Sequence, residues 1–165
     1  MPPVQTTYDR NPVASFAGLL YDLRDNVIES YAAEGAAGIG LGLALVAGTD
    51  PDKQVKLPTG EGLEVRGISV HQYALEQAAD GTVEYAEKDT VNTLRRGMIW
   101  VQTTGTFTRD TAAFFKISGA DAGKFTSADD ATTDPFPTAV FRGSGSGGAL
   151  GLVEINLPGG VESPS

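Results

Sequence analysis

Few residues in this chain could carry out covalent chemistry. Its 165 residues include one histidine, His71, and no cysteine. A lone imidazole cannot build a multi-histidine metal site, and a hydrolytic triad would have to use it as the only base. Without thiols there is no disulfide, zinc ribbon, thiolate nucleophile or iron–sulfur ligation. His71 ends the run LEVRGISV at 63–70, beside Gln72 and Tyr73. A hydrogen-bonded surface imidazole accounts for it there, and it is assigned no role.

Two glycine-rich stretches look like phosphate cradles. Gly143-Ser-Gly-Ser-Gly-Gly148 is followed by Ala149-Leu150, where a P-loop needs Lys and then Ser or Thr, so it reads as a flexible hairpin loop. Gly38-Ile-Gly40-Leu-Gly42 has no following helix and no surrounding βαβ unit, and reads as small residues packed against a neighbouring strand. The acidic clusters Asp50, Asp52 and Asp129, Asp130, Asp134 offer oxygen ligands to Ca²⁺. They do not follow the EF-hand loop pattern and read as solvated turns. The remaining carboxylates form no distinctive pair, and those in Pro/Gly turns are too exposed for the pKa shifts that acid–base catalysis needs. The expectation is a protein that is not an enzyme, with no catalytic residue, metal or cofactor.

The charge balance is 12 Lys+Arg against 21 Asp+Glu, a formal −9, which argues against nucleic acid and anionic membrane as partners. The basic residues are scattered, with Arg95-Arg96 the only adjacent pair. The longest largely apolar stretch, 36–48, falls short of the roughly 18–20 residues of a spanning helix. The N-terminus lacks a basic region followed by an apolar one, so synthesis in the cytoplasm is expected.

These residues sit on a chain punctuated by 21 Gly and 9 Pro, which implies short segments. Residues 1–26 read as an extended N-terminal arm carrying Pro2, Pro3 and Pro12; 27–157 as a single β-barrel or sandwich domain; and 158–165 as a flexible tail. Within the domain, strands are expected at 27–31, 39–46, 55–57, 63–70 with a bulge at Gly67, 83–85, 90–94, 98–103, 114–117, 123–126, 139–141 and 150–157. Residues 86–89 and Arg96-Gly97 are taken as hairpin connections. About ten short strands at this spacing point to an all-β, antiparallel barrel or sandwich. Leu19, Leu20, Tyr21 and Leu23 need burial, so the arm is expected to leave its own barrel and pack on a neighbour. Met98, Trp100 and Val65 are expected in the core or a subunit interface, where truncating a buried aromatic costs about 3–5 kcal/mol.

Taken in order, the segments resemble the structural cement (head-decoration) proteins of tailed bacteriophages. The resemblance runs over about 12–157. It rests on Pro12-Val-Ala-Ser-Phe-Ala-Gly18, Asn26-Val-Ile-Glu-Ser-Tyr31, the Gly-rich strand ending Val-Ala-Gly48, Val55-Lys-Leu-Pro-Thr59 and Val65-Arg-Gly-Ile-Ser69. It continues through Tyr85-Ala-Glu-Lys-Asp-Thr-Val91, Arg96-Gly-Met-Ile-Trp-Val101, Phe115-Lys-Ile-Ser118, Gly123-Lys-Phe-Thr126 and Ala149-Leu-Gly-Leu-Val-Glu-Ile-Asn156. Ala86-Glu-Lys-Asp89 departs from the family's glycine-containing turn. The resemblance implies a viral structural protein of the virion that binds the outer surface of the assembled head. There it would link neighbouring major capsid proteins and resist genome pressure, as a homodimer or homotrimer. The interface candidates are Pro12, Phe16, Leu19, Leu20, Tyr21, Leu23 and Trp100. Two other classes make different demands: a carbohydrate-binding or adhesion β-domain needs an aromatic platform, and a small acidic-residue hydrolase needs a pocket of convergent carboxylates.

Overall fold

In the computed structural model, residues 15–22, 25–46, 53–72 and 83–157 are described. The strands are β1 (Val27–Ala33), β2 (Ala37–Gly38), β3 (Gly42–Leu45), β4 (Gln54–Lys56), β5 (Val65–Ser69), β6 (Glu84–Tyr85), β7 (Thr90–Gln102), β8 (Ala112–Lys116), β9 (Phe125–Thr126), β10 (Thr133–Phe141) and β11 (Leu150–Asn156). A 3₁₀ turn spans Gly119–Asp121, and no α-helix lies among the described residues. The all-β expectation holds. The antiparallel expectation is corrected to a mixed sheet, because β1 pairs with β4 in parallel, Ala32 opposite Gln54 and Ala33 opposite Val55. A hairpin cannot make that pairing: β1 and β4 are separated by β2 and β3, so the chain returns to β1 in the same direction.

Nine strands form one sheet in the order β1-β4-β3-β5-β7-β11-β10-β8-β9, and β1 also pairs with β7. The first run therefore closes on itself, β1-β4-β3-β5-β7 and back to β1. The second run, β7-β11-β10-β8-β9, closes where Phe125 of β9 bridges Thr103, just past β7, with the Thr104 N–H donating to the Phe125 carbonyl at 2.8 Å. Two small rings thus share β7. Closure removes most of the free strand edges that an open sheet of this size would expose.

The shared strand is 13 residues long. The sequence reading split it at Arg96-Gly97, where glycine suggested a turn. Gly97 instead takes φ 135°, open to residues without a Cβ, and the strand bends without breaking. The β1–β7 register shifts beside it: Val27 faces Arg96 and Ile28 faces Leu94, so Arg95 is the extra residue of a bulge. The bulge expected at Gly67 is present, with φ 144° and a register shift opposite Leu43/Ala44; a Cβ there would overlap the Leu94 carbonyl. Of the expected strand 39–46 only β3, 42–45, forms; residues 39–41 break from the pairing and separate it from β2. The fully buried Ser69 hydroxyl holds the break, donating to the Gly38 carbonyl at 2.8 Å and accepting from the Leu41 N–H at 3.0 Å in place of ladder bonds.

Alternation fills both cores. Ile99 and Val101 of β7 face Val153 and Gly151 of β11 and join Phe107, Phe115, Phe125, Phe136 and Phe141 in the larger cluster. Tyr31, Leu43, Val55, Tyr85 and Val91 form the smaller cluster on the first ring. The 143–148 segment, read as a flexible loop, is tied down: Phe107 and Gly145 exchange both backbone hydrogen bonds at 3.0 Å. At the 86–89 turn Lys88 takes φ 70° where the family pattern led us to expect glycine, and the Asp89 carboxylate accepts from the Ala86 N–H at 2.8 Å.

Candidate functional site

Residues 18–21 do not leave the barrel. The Gly18 N–H donates to the Trp100 carbonyl at 2.7 Å, the Trp100 N–H to Leu19 at 3.0 Å, and the Tyr21 N–H to Met98 at 2.9 Å. Leu20 bridges Ile99 and packs on the larger core. This part of the arm is a short strand added to β7, which corrects the expectation that it reaches away. Four residues with two half-buried leucines do not declare themselves as a strand from sequence.

That pairing fixes the facing of its neighbours. With Leu20 and Ile99 turned inward, Leu19, Tyr21, Met98 and Trp100 are turned outward. Tyr21 is 58 % exposed, its ring 6.5 Å from that of Trp100 and tilted by 59°. Met98 and Trp100 are half-buried, and the β11 residues opposite them, Glu154 and Leu152, stand on the same face. Trp100 is therefore not in the core; Ile99 and Val101 take that role. Val65, half-buried, packs on the larger cluster. Phe16 is 40 % exposed and meets His71 edge-on at 4.8 Å, while the His71 N–H donates to the Gly18 carbonyl at 2.9 Å. Pro12 and Leu23 lie outside the described residues, as do Asp50, Asp52 and the 158–165 tail.

The apolar outer face has a charged rim. A groove of about 390 Å³ beside Met98 is lined by Asp22, Asp25, Arg96 and Glu154. Glu154 accepts from Arg142 Nε at 2.6 Å, and the same guanidinium reaches Asp110 at 2.8 Å. These two carboxylates hold the Arg142 pKa above its ordinary value. Asp130, on the far side of the second ring, is committed elsewhere: the Thr132 hydroxyl and N–H and then Lys116 pull its pKa down to about 2. Among the described residues no cluster of three or more His, Asp or Glu side chains has the geometry to hold a metal ion. None of their helices is long and apolar enough to cross a membrane.

Sequence reading found Tyr21 and Trp100 but missed Leu152, Glu154 and the exposed pair Val27 and Ile28 at 40 % and 42 %. The pairing of 150–156 with 96–102 was the missing information, since LGLVEINL does not say which of its faces is covered.

The chain can be compared with known proteins on this footing. Among solved structures it is similar to a chain of the capsid of Myoviridae phage XM1, with a TM-score of 0.73 and 17 % identity, covering 94 % of this chain and 98 % of that one. A chain from the head fibre gp8.5 N base of bacteriophage phi29 matches with a TM-score of 0.38 and 13 % identity, over 79 % of this chain and 94 % of that one. Curated protein sequences contain no match. The sequence profile of the structural cement proteins (E217 gp24/Pam3 gp6) matches residues 4–157. The aromatic outer face therefore belongs to a structural protein of a phage capsid, not an enzyme, and the chain is a member of the structural cement protein family.

Proposed function

We propose that this protein attaches to the outer surface of an assembled phage head and joins neighbouring major capsid proteins, holding the shell against internal pressure. The observation that carries this reading is the outward face on a closed barrel wall where exposed Tyr21 stands beside half-buried Met98 and Trp100. Tyr, Trp and Met are enriched at the centres of protein interfaces, where a few residues carry most of the binding energy. The rim is mixed, with Asp22, Asp25, Arg96 and an Arg142-paired Glu154, and in a chain of net charge −9 it suits a partner surface with an apolar centre and a polar, net-basic border. Leu19 lies on the same face, and Leu20 anchors it to the core. In this reading the N-terminal arm, with Pro12 and Leu23, makes further contacts while 27–157 acts as the rigid body. The protein is made in the host cytoplasm and works on the virion as a homodimer or homotrimer.

A ligand that binds the assembled shell but not its dispersed subunits stabilises the shell at every occupied site. Modest affinity per contact is then sufficient when contacts are many. The two Trp100 and Tyr21 rings are tilted rather than coplanar, which suits a protein surface better than the flat stacking platform of a sugar site.

The test adds purified protein to undecorated expanded capsids and images them. Replacing Tyr21 and Trp100 together by Ala is expected to lower occupancy by about tenfold or more at subsaturating protein, the loss of a hot spot of about 1.4 kcal/mol or greater. Wild-type occupancy by that variant, with an unchanged circular dichroism spectrum, would overturn the assignment of this face.

A further inference from the structure

The proposed docking face is built from two separate pieces of chain. Met98 and Trp100 belong to β7, which pairs with β11 from Leu150 to Asn156. Tyr21 belongs to a strap, residues 15–21, attached by main-chain hydrogen bonds, by the Leu20 side chain and by the edge contact of Phe16 with His71. The face is complete only while the strap is seated.

Two glycines meet where the strap joins the barrel. Successive main-chain groups of β7 find partners in turn: the Met98 carbonyl accepts from the Tyr21 N–H, Trp100 bonds to Gly18 and Leu19, and the Gln102 N–H donates to the Gly40 carbonyl at 3.0 Å. Gly18 and Gly40 are thus neighbours along one strand, although they are distant in sequence. Both are buried, and both take left-handed backbone, φ 75° and 69°. Gly18 is tied twice, its N–H to Trp100 of β7 and its carbonyl to His71, just past β5. A Cβ on Gly18 would lie 2.1 Å from Ile39 Cγ2 and 2.7 Å from the His71 backbone nitrogen. A Cβ on Gly40 would lie 2.8 Å from the Gly18 nitrogen and 3.0 Å from the Trp100 carbonyl oxygen, the two atoms of the hydrogen bond that begins the strap. Backbone atoms cannot swing aside as the end of a side chain can, so a methyl group at either position pushes strap and barrel apart. A pairing of four residues has little stability to spare, and loss of its first contact releases Tyr21 as well.

We infer that Gly18 and Gly40 are positioning residues of the docking face: their backbones close against each other, and this contact seats the strap so that Tyr21 stands beside Trp100. The inference rests on the capsid-binding role proposed for that face. Tyr21 then contributes to binding only while the Gly18–Gly40 contact is intact, and a folded barrel without that contact carries half a face.

Seating is tested on the free protein and binding on capsids, so the two can fail separately. Hydrogen exchange of Gly18→Ala is expected to show at least about a tenfold loss of protection at the Tyr21 and Trp100 N–H groups, with β11 protected as in the wild type. Gly40→Ala, which presses on the strap from the barrel side, is expected to do the same. Gly35→Ala is the control: Gly35 takes φ 87° with nothing within 4 Å of its Cβ, so the strap should keep its protection. On undecorated expanded capsids Tyr21→Ala should lower occupancy in the wild-type background and lower it no further when added to Gly18→Ala. Wild-type protection in both glycine variants would overturn the seating. So would a loss in both that extends through β11, which would make the glycines part of the barrel itself, or a loss at Tyr21 and Trp100 in the control. Additive losses on capsids would overturn the positioning of Tyr21. Wild-type occupancy by Tyr21→Ala would overturn the docking face on which the inference rests, while the exchange result still decides the strap.

Discussion

The two rings that share β7 bury different chemistry. The second is filled by phenylalanine: Phe107 stacks on Phe141 at 4.8 Å, and Phe136 meets Phe115 and Phe125 at 5.5 and 5.2 Å. The first holds Tyr31 and Tyr85, with Ser69, Thr93 and Arg95 buried around them. Tyr85 donates to the Val70 carbonyl, and Tyr31 stands between Glu29 and Arg95. A dry aromatic core gains by area and shape, whereas a core of polar groups gains only while each has its partner. The second ring therefore stiffens the wall whose outer surface carries Met98 and Trp100. The first specifies one arrangement of β1, the strand that closes it.

The largest expected effect comes from breaking the phenylalanine ring. Phe115→Ala, at a fully buried position, is expected to cost about 3–5 kcal/mol, read as a lower denaturant midpoint. A loss of under about 1 kcal/mol would mean the second ring is not the stability core. Next is the ion cluster of the first ring. Arg95→Leu is expected to cost about 1.5–3 kcal/mol, the range for hydrogen bonds to charged groups, because it strips the cation from Tyr31 and from the half-exposed Glu29. A double-mutant cycle with Glu29→Gln should show coupling, and additive losses would place the cost in packing alone.

Alkali discriminates between the rings more gently. Burial, and then for Tyr31 the hydrogen bond to Glu29, raises the pKa of both buried tyrosines, Tyr85 to about 12. Their neutral forms are favoured in the fold, so this stabilisation is complete below the ordinary value of 10.0 and is lost as pH rises from there through about 12. Stability measured by denaturant should fall across that window, and the fall should shrink in Tyr85→Phe. An identical pH profile for that variant would remove Tyr85 from the account.

How far this division could be read beforehand depended on how much each segment says alone. The bulge at Gly67 and the strand β11 are legible because alternation and glycine placement agree there. β7 is not, because Arg96-Gly97 looks the same in a turn and in a bent strand, and only pairing with β1 and β11 on either side of it decides. The facing of Trp100 is equally hidden: in Met98-Ile-Trp-Val101 both faces are apolar, so alternation cannot say which is covered. The parallel β1–β4 pair depends on where two distant segments meet, which neither one encodes.

The smallest effect on stability is expected at the outer face itself. Trp100 is half-buried, so Trp100→Ala should cost about 1 kcal/mol rather than the loss expected of a core aromatic. A cost above about 3 kcal/mol would return Trp100 to a structural role and weaken its place in the docking surface.

The central claim is that this face binds a shell in order to strengthen it. The direct measurement is the disruption temperature of capsids with and without saturating protein, at one fixed ionic strength so that screening of the acidic rim is held constant. Decorated capsids should break at a higher temperature, and the Tyr21→Ala/Trp100→Ala variant should remove the gain at the same protein concentration. Equal disruption temperatures at full occupancy would contradict cementing.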